Sequence, residues 1–208
     1  MVFEVHMKTM MLGFAAAVLA LSPLAAQDRG NDVRQEIRHE LLQLPYYSVF
    51  DFLAFKYDKG TALLMGYAYS PALKRDAERA VKRVAGVDEV RDQIQELSPS
   101  QMDDEIRWKV YYAIYTDPFL QKYAPGGAML WGHRHRFGGG FAGLWGEGME
   151  PAGNYPIHII VDKGRVTLMG VVDDAGDRTI AETKARQVPG SFDVKNELIV
   201  ERDSKHRT

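Results

Sequence analysis

The chain contains no cysteine among its 208 residues. This absence excludes disulfide frameworks, thiolate zinc sites, iron–sulfur clusters and cysteine nucleophiles. A strong charge of either sign is also missing, because the formal net charge is -2 at pH 7. Such a chain has no general attraction to polyanions, so we expect no nucleic-acid partner.

Long apolar runs are scarce, and the clearest one lies near the N-terminus. Lys8 supplies a positive start, Met10 to Leu21 is apolar, and small residues follow up to Ala26. This order is typical of a secretory signal, and the run is shorter than the ~20 residues that span a bilayer. We predict a signal peptide over residues 1–26, cleaved near Ala26, and favour this over a retained anchor.

The most informative feature that is present is an internal repeat. The segment Asp58-Lys59-Gly60 with Leu64-Met65-Gly66 recurs at a constant offset as Asp162-Lys163-Gly164 with Leu168-Met169-Gly170. The same offset pairs Val84, Gly86 and Val90 with Val188, Gly190 and Val194. A register kept over about forty residues indicates a duplication. The repeated motif glycines are Gly60, Gly66, Gly86, Gly164, Gly170 and Gly190.

Apolar spacing predicts the order helix, strand, strand, helix, strand in the first copy. The first helix begins after Asp32, its N-cap, and Pro45 ends it. A turn at 58–60 joins two strands, and Gly86 is the C-terminal cap of a second helix. The predicted ranges are 33–44 (helix), 50–57 and 61–69 (strands), 70–86 (helix) and 87–97 (strand).

The second copy is predicted to repeat this order, starting with a helix at Ser98-Pro99 that has proline at its first position. The predicted ranges are 99–116 (helix), 157–161 and 166–172 (strands), 175–188 (helix) and 194–201 (strand). We therefore predict an α+β protein with tandem domains at 30–97 and 98–203. Each has an antiparallel or mixed three-stranded sheet covered on one face by two helices.

An insertion interrupts the second copy at about 124–155. It is rich in glycine and in large apolar residues, has no period, and is predicted to be a mobile loop. Glycine-rich loops with such side chains either fold over a core or offer them to a membrane or partner.

The two copies resemble the BON domain. The resemblance is carried by Asp58-Lys59-Gly60-x3-Leu64-x-Gly66 with Val84-Ala85-Gly86-Val87-x2-Val90, and by Asp162-Lys163-Gly164 through Gly170 with Val188-Pro189-Gly190 through Val200. It suggests a tandem protein similar to the osmotically inducible OsmY type. The resemblance implies a periplasmic, non-enzymatic protein that binds phospholipid or another envelope component, with a role in osmotic or envelope stress.

Basic residues of the second helix form a candidate lipid-binding stripe opposite its apolar face. Cations on one helix face can neutralise lipid phosphates, at about 1 kcal/mol each near an anionic surface. The alternative is an ordinary solvated face, since Asp76 and Glu78 lie close by. The residues of this basic stripe are Arg75, Arg79, Lys82 and Arg83.

The insertion supplies further lipid-binding candidates. Tryptophan rings favour the level of lipid headgroups, and neighbouring arginines can contact phosphate. The candidates are Trp131, Arg134, Arg136 and Trp145. His133 and His135 alternate with these arginines, but two ligands on a loop do not close a metal site, so we expect no metal.

Catalytic and cofactor motifs are not convincing. Gly138-x-Gly140-x2-Gly143 matches a dinucleotide fingerprint only by letter, because no strand precedes it and no helix follows it. His158 alternates with apolar residues and is predicted to be a partly exposed strand residue rather than a base. We expect no cofactor and no enzymatic activity; the alternative function is chaperone-like binding of a protein client by the insertion.

Overall fold

The computed structural model describes residues 23–124, 150–152 and 155–201. Within these ranges the protein is α+β, with four α-helices and two sheets, which confirms the predicted fold class. The predicted signal peptide lies almost wholly outside the described residues, as does most of the insertion. The domain boundaries at 30–97 and 98–203 stay predictions.

The first unit follows the predicted order of elements. Strands β1 and β2 are antiparallel, whereas β2 and β3 are parallel, so the sheet is mixed. The elements are α1 (Pro23–Leu42), β1 (Phe52–Asp58), β2 (Thr61–Ala68), α2 (Pro71–Lys82) and β3 (Glu89–Glu96).

The second unit repeats this pattern after the helix α3 (Gln101–Tyr115). A short 3-10 helix (Gln121–Tyr123) and a two-residue strand, β4 (Glu150–Pro151), come next. The unit is completed by β5 (Ile157–Asp162), β6 (Arg165–Val172), α4 (Ala175–Arg186) and β7 (Asp193–Val200). Strands β5 and β6 are antiparallel and β6 and β7 parallel, as in the first unit.

The two hairpin turns form as predicted. Lys59 and Gly60 both have positive φ, at 45° and 86°, and Lys163 and Gly164 match them at 51° and 76°. Two consecutive residues with positive φ suit the right-handed twist of the strands that they join. The repeat in sequence is therefore a repeat in backbone geometry.

Several predicted helix boundaries are wrong. Helix α1 already begins at Pro23, so Asp32 lies inside it and is not its N-cap. Helix α3 begins at Gln101, two residues past Pro99, because the side chain of Ser100 caps it by accepting from the Asp103 amide. Gly86 has the expected positive φ of 94°, but α2 has already ended with Arg83 as its cap.

The described end of the insertion is not a loop. Strand β4 pairs antiparallel with β1 of the first unit, through Ala54 with Pro151, and extends that sheet to the order β3-β2-β1-β4. The Ala152 amide donates to Leu53 O at 2.9 Å, and the Tyr47 hydroxyl donates to Ala152 O at 2.6 Å. A segment predicted to belong to the second unit thus completes the first.

Each unit has its own core between its sheet and its helices. In the first unit, Ile37 and Leu41 of α1 and Leu73 and Val81 of α2 pack on Phe55. The second unit repeats this packing with residues of α3, α4 and the inner face of β5 and β6. This confirms the prediction that two helices cover one face of each sheet.

The other faces of the two sheets cover each other. Phe52 and Ala54 of β1 join Ile160 of β5, Met169 of β6 and Leu97 in one buried cluster. Without this contact both sheets would expose an apolar face to water. The resulting layers are helices, sheet, sheet and helices.

The backbone passes unusually close to one motif glycine in each unit. A Cβ on Gly66 would lie 2.0 Å from Phe52 O, and one on Gly170 would lie 2.2 Å from Pro156 O. Both glycines also have positive φ, at 117° and 129°. Side chains at either position are excluded by the neighbouring strand as well as by the backbone angle.

We predict that Gly66→Ala and Gly170→Ala each lower the free energy of unfolding by about 3 kcal/mol or more, since both create strain and a backbone clash. Chemical denaturation followed by circular dichroism measures the loss. Gly176→Ala in α4 is the control, because its nearest contact is the side-chain carboxylate of Asp174 at 3.0 Å. Equal stability of all three variants would contradict the close-approach argument.

Candidate functional site

The basic stripe lies on the outer face of α2, as predicted. Ser70 caps the helix by accepting from the Ala72 amide, and Leu73, Ala77, Ala80 and Val81 face the core. All four stripe residues are exposed. The helix therefore presents a row of cations to solvent.

Neighbouring acids neutralise much of this stripe. Arg79 pairs with Asp76, Lys82 pairs with Glu78 at 2.5 Å, and Arg83 approaches Glu40 at 3.8 Å. Exposed pairs of this kind contribute only about 0–1 kcal/mol to stability, so they can exchange partners. Their acids nevertheless leave the stripe with little net positive charge, and its lipid-binding role stays a prediction.

A second surface, absent from the predicted sites, is aromatic. Trp108 and Tyr112 of α3 are 52% and 59% exposed, and Tyr69 after β2 lies beside them, 39% exposed. Tyr111 links the group, with ring centroids 5.6 Å from Trp108 and 5.7 Å from Tyr112. We call Tyr69, Trp108, Tyr111 and Tyr112 the aromatic face.

The sequence places these rings on one side of α3. Ile106, Val110 and Ile114 recur at helical spacing and are buried. Trp108 and Tyr112, also four residues apart, fall away from that row. This spacing in the sequence could have revealed an exposed aromatic pair, but aromatic residues in a helix more often lie in the hydrophobic core.

Buried groups hold the aromatic face in place. Phe50, which is part of the second unit's core, contacts Trp108 edge-on at 5.1 Å and Tyr69 at 6.5 Å. The Arg107 guanidinium lies 4.6 Å from the Tyr69 ring centre, a distance that suits a cation–π contact. Tyr69 belongs to the first unit and Trp108 to the second, so the aromatic face spans both.

Arg107 is a buried charge beneath this face, only 1% exposed. Its Nη2 donates to Val161 O at 2.5 Å, and its Nη1 pairs with Asp104. A buried cation is stable only when it is paired and hydrogen-bonded. These contacts satisfy the two terminal nitrogens, whereas Nε has no hydrogen-bond partner within the described residues, and they fix Arg107 under the Tyr69 ring.

Asp51 is the nearby buried carboxyl group. The Ser48 amide and hydroxyl donate to one of its oxygens at 2.9 and 2.5 Å, and the Tyr69 amide donates to the other at 2.6 Å. Burial raises the pKa of Asp51, and these hydrogen bonds offset part of that rise. Asp51 thereby ties the segment before β1 to the end of β2.

His158 is fully buried, and the prediction of a partly exposed strand residue was wrong. Its ring lies between Tyr47, Phe52 and Tyr155, at centroid distances of 5.8, 5.4 and 5.6 Å. Its Nε2 accepts from the Tyr155 amide at 3.2 Å. Packing of the two sheets against each other, which local alternation could not reveal, explains the burial.

This environment keeps His158 neutral. Desolvation lowers the pKa of His158 from 6.5 to about 4, with a partial offset from the backbone of Asp51 and Ser48. A neutral imidazole that is fully buried among three aromatic rings is better described as a packing residue than as a general base.

Other predicted features are outside the described residues. Trp131, Arg134, Arg136, Trp145 and the histidines at 133 and 135 all lie in that part of the insertion. Within the described ranges, no group of three or more acidic or histidine side chains is placed to hold a metal ion. No described helix is long and apolar enough to cross a membrane.

Comparison with known proteins identifies the fold. The BON domain family model matches residues 31–97 and 151–202, which together are more than half of the chain. The search of curated proteins finds no match. The finer likeness to the osmotically inducible type stays a prediction.

Two solved structures are similar at low identity. Both are of CdsD, a structural protein of the type III secretion system of Chlamydia trachomatis, one of them its C-terminal domain. Each is 15% identical with a TM-score of 0.27, and covers 81% or 85% of this chain and 97% of its own. This likeness is too distant to indicate what the present chain binds.

We predict that lowering the pH destabilises the protein through His158. The folded-state pKa lies below the unfolded value, so the unfolded chain binds the proton more readily as the pH falls from about 6.5 to about 4. At about 1.4 kcal/mol per pKa unit, the loss is about 3 kcal/mol and is complete below pH 4.

Urea unfolding of wild type and of His158→Gln at several pH values measures this loss. Glutamine keeps a neutral acceptor for the Tyr155 amide but cannot be protonated in this range. The stability of wild type minus that of His158→Gln should fall steadily, by about 3 kcal/mol in total, from pH 7 to pH 4. A constant difference would show that His158 is not the titrating group.

Proposed function

Because the chain belongs to the BON domain family, we propose that it is a non-enzymatic envelope protein that binds the surface of phospholipid membranes. The observation that supports this most is the aromatic face. A role in osmotic or envelope stress, implied by the resemblance, belongs to the same proposal.

Amphipathic rings suit the boundary between water and lipid. Tryptophan and tyrosine have an apolar body and a polar edge, and they concentrate at the level of lipid headgroups. Trp108 and Tyr112 are half-exposed on one helix, so part of their apolar ring surface is in contact with water. Contiguous exposed apolar groups mark surfaces for binding a membrane or a protein.

Rigidity strengthens this surface as a binding site. The rings rest on Phe50 and Arg107, which are both buried, so few side-chain conformations are lost on binding. The nearby charges of α3 are mixed, since Glu105 pairs with Lys109 at 3.2 Å. We therefore expect the aromatic face to bind neutral lipid with little dependence on salt.

The basic stripe on α2 has a different expected signature. Attraction of exposed cations to anionic lipid is screened within a Debye length, so it weakens as salt rises. The candidates in the insertion, Trp131 and Trp145 with their arginines, belong to this proposal as well.

We predict that the protein binds vesicles of neutral phosphatidylcholine through Trp108. In the variant Trp131→Phe/Trp145→Phe, Trp108 is the single remaining tryptophan of the chain. Its fluorescence should shift to shorter wavelength when vesicles are added, because the indole leaves water. The shift should persist at high salt. An unchanged spectrum at saturating lipid would contradict insertion of Trp108.

We predict that Trp108→Ser/Tyr112→Ser weakens vesicle binding about tenfold or more, which corresponds to about 1.4 kcal/mol. Co-sedimentation measures the bound fraction. Phe192→Ser is the matched control, since Phe192 is 74% exposed but lies beside Gly164 and not on the aromatic face. The aromatic-face proposal fails if the double variant binds like the control.

The basic stripe has its own test in the same assay. The variant Arg75→Ala/Arg79→Ala/Lys82→Ala/Arg83→Ala should lose only the additional binding to vesicles that contain anionic phosphatidylglycerol. Unchanged binding would remove the stripe from the proposal and leave the aromatic face. Protection of an unfolded client without any vesicle binding would instead favour the alternative, chaperone-like function of the insertion.

A further inference from the structure

The helices α1 and α3 sit in the same register on their sheets. Arg34 Nη2 donates to Tyr57 O at 3.0 Å, and Arg107 Nη2 donates to Val161 O at the corresponding place. Likewise Val33 contacts Gly86, as Ile106 contacts Gly190. This register places Gly30 of α1 where α3 has Asp103.

In the second unit, Asp103 fills the space between α3 and the β5–β6 turn. Its carboxylate accepts from the Lys163 amide at 2.9 Å and from the Gly164 amide at 2.7 Å. The residue is 1% exposed. A carboxylate that accepts two backbone N–H groups out of water is held strongly, because charged hydrogen bonds are the strong ones.

In the first unit no described carboxylate accepts from the amides of the same turn, although the Asp88 carboxylate lies against the other side of Gly60. The backbone angles of Lys59 and Gly60 match those of Lys163 and Gly164, so their amides face residue 30. Gly30 has no side chain to offer them, and no hydrogen bond from either amide is found within the described residues. Two parallel N–H donors are thus left without the acceptor that their counterparts have.

A cleft of about 660 Å³ opens at this position. Arg29, Arg34 and Lys59 line it, together with the acids Asp32 and Asp58. Asp88 lies against the adjoining Gly60, so the positive and negative groups around the site balance and the two amides are what favour a carboxylate. The Arg34 guanidinium is close, since its Nη1 lies 3.3 Å from where a Cβ on Gly30 would be. The remaining walls are apolar and include Val33, Tyr57 and Ala85.

We propose that this cleft binds the carboxylate of a small ligand with an apolar body. The ligand's two oxygens accept from the Lys59 and Gly60 amides, as Asp103 does in the second unit, and its apolar part rests on Val33 and Tyr57. Both the C-terminal residue of a peptide and a free carboxylic acid have this chemistry. The site lies in the first unit and does not depend on membrane binding by the aromatic face.

Amide chemical shifts of the full ¹⁵N-labelled chain test the proposal. Hexanoate should shift the Lys59 and Gly60 resonances in a saturable manner, and hexylammonium, which has the opposite charge on the same apolar chain, should not. Inorganic phosphate should have a weaker effect because it lacks the apolar part. No shift with any carboxylate, or equal shifts with hexylammonium, would overturn the proposal.

A second pair of ligands separates the two sources. N-acetyl-leucine imitates the C-terminal end of a peptide. The second compound, N-acetyl-leucine amide, has the same apolar side chain but no carboxylate. Tighter binding of N-acetyl-leucine than of hexanoate would assign the site to peptide ends, and the reverse order would assign it to free acids. Equal binding of N-acetyl-leucine and its amide would contradict the role of the carboxylate.

Substitution of Gly30 provides a matched pair of variants. Gly30→Asp restores the arrangement of the second unit, so its carboxylate should occupy the turn amides and weaken ligand binding by about tenfold or more. Gly30→Ala adds a Cβ without a carboxylate and should bind like wild type. Equal losses of ligand binding in both variants would show that any added side-chain volume at residue 30 blocks the cleft, which would contradict a specific role of the carboxylate. Unchanged binding in Gly30→Asp would exclude these amides as the site.

Discussion

Packing between the two sheets is the contact on which the rest of the structure depends. A three-stranded sheet with helices on one face leaves its other face open, and here each sheet covers the other through Phe52, Ala54, Ile160 and Met169. The same contact encloses His158, and it brings Tyr69 of one unit beside Trp108 of the other. The aromatic face thus exists only because the units are stacked.

Local features of the fold could be predicted from the sequence because interactions between residues close in sequence determine them. The turns at Lys59 and Lys163 need a following glycine, and each strand follows from short-range apolar spacing. Helix α1 extends further than predicted, since Asp32 is a good cap by type but helical backbone continues through it. Strand β4 was missed because its partner, β1, is distant in sequence and only the tertiary fold brings the two together.

The candidate site was harder to predict. The exposure of the basic stripe follows from helical spacing, but its ion pair with Glu40 depends on how α1 packs beside α2. The aromatic face needs both units, so no pattern within α3 alone could define it. Duplication has also left unequal copies: Asp103 and Gly30 hold the same place, and one change of side chain turns a filled space into a cleft.

The pairing of β4 with β1 has a consequence for the order of folding. Because the N-terminal part of the chain is synthesised first, β1 can form early. The edge of that strand stays unprotected until β4 has been made. Unprotected strand edges invite association between chains. Completion of the first sheet is therefore delayed until most of the polypeptide has emerged, which couples maturation of the two halves and lengthens the interval in which an open strand edge can pair with another chain.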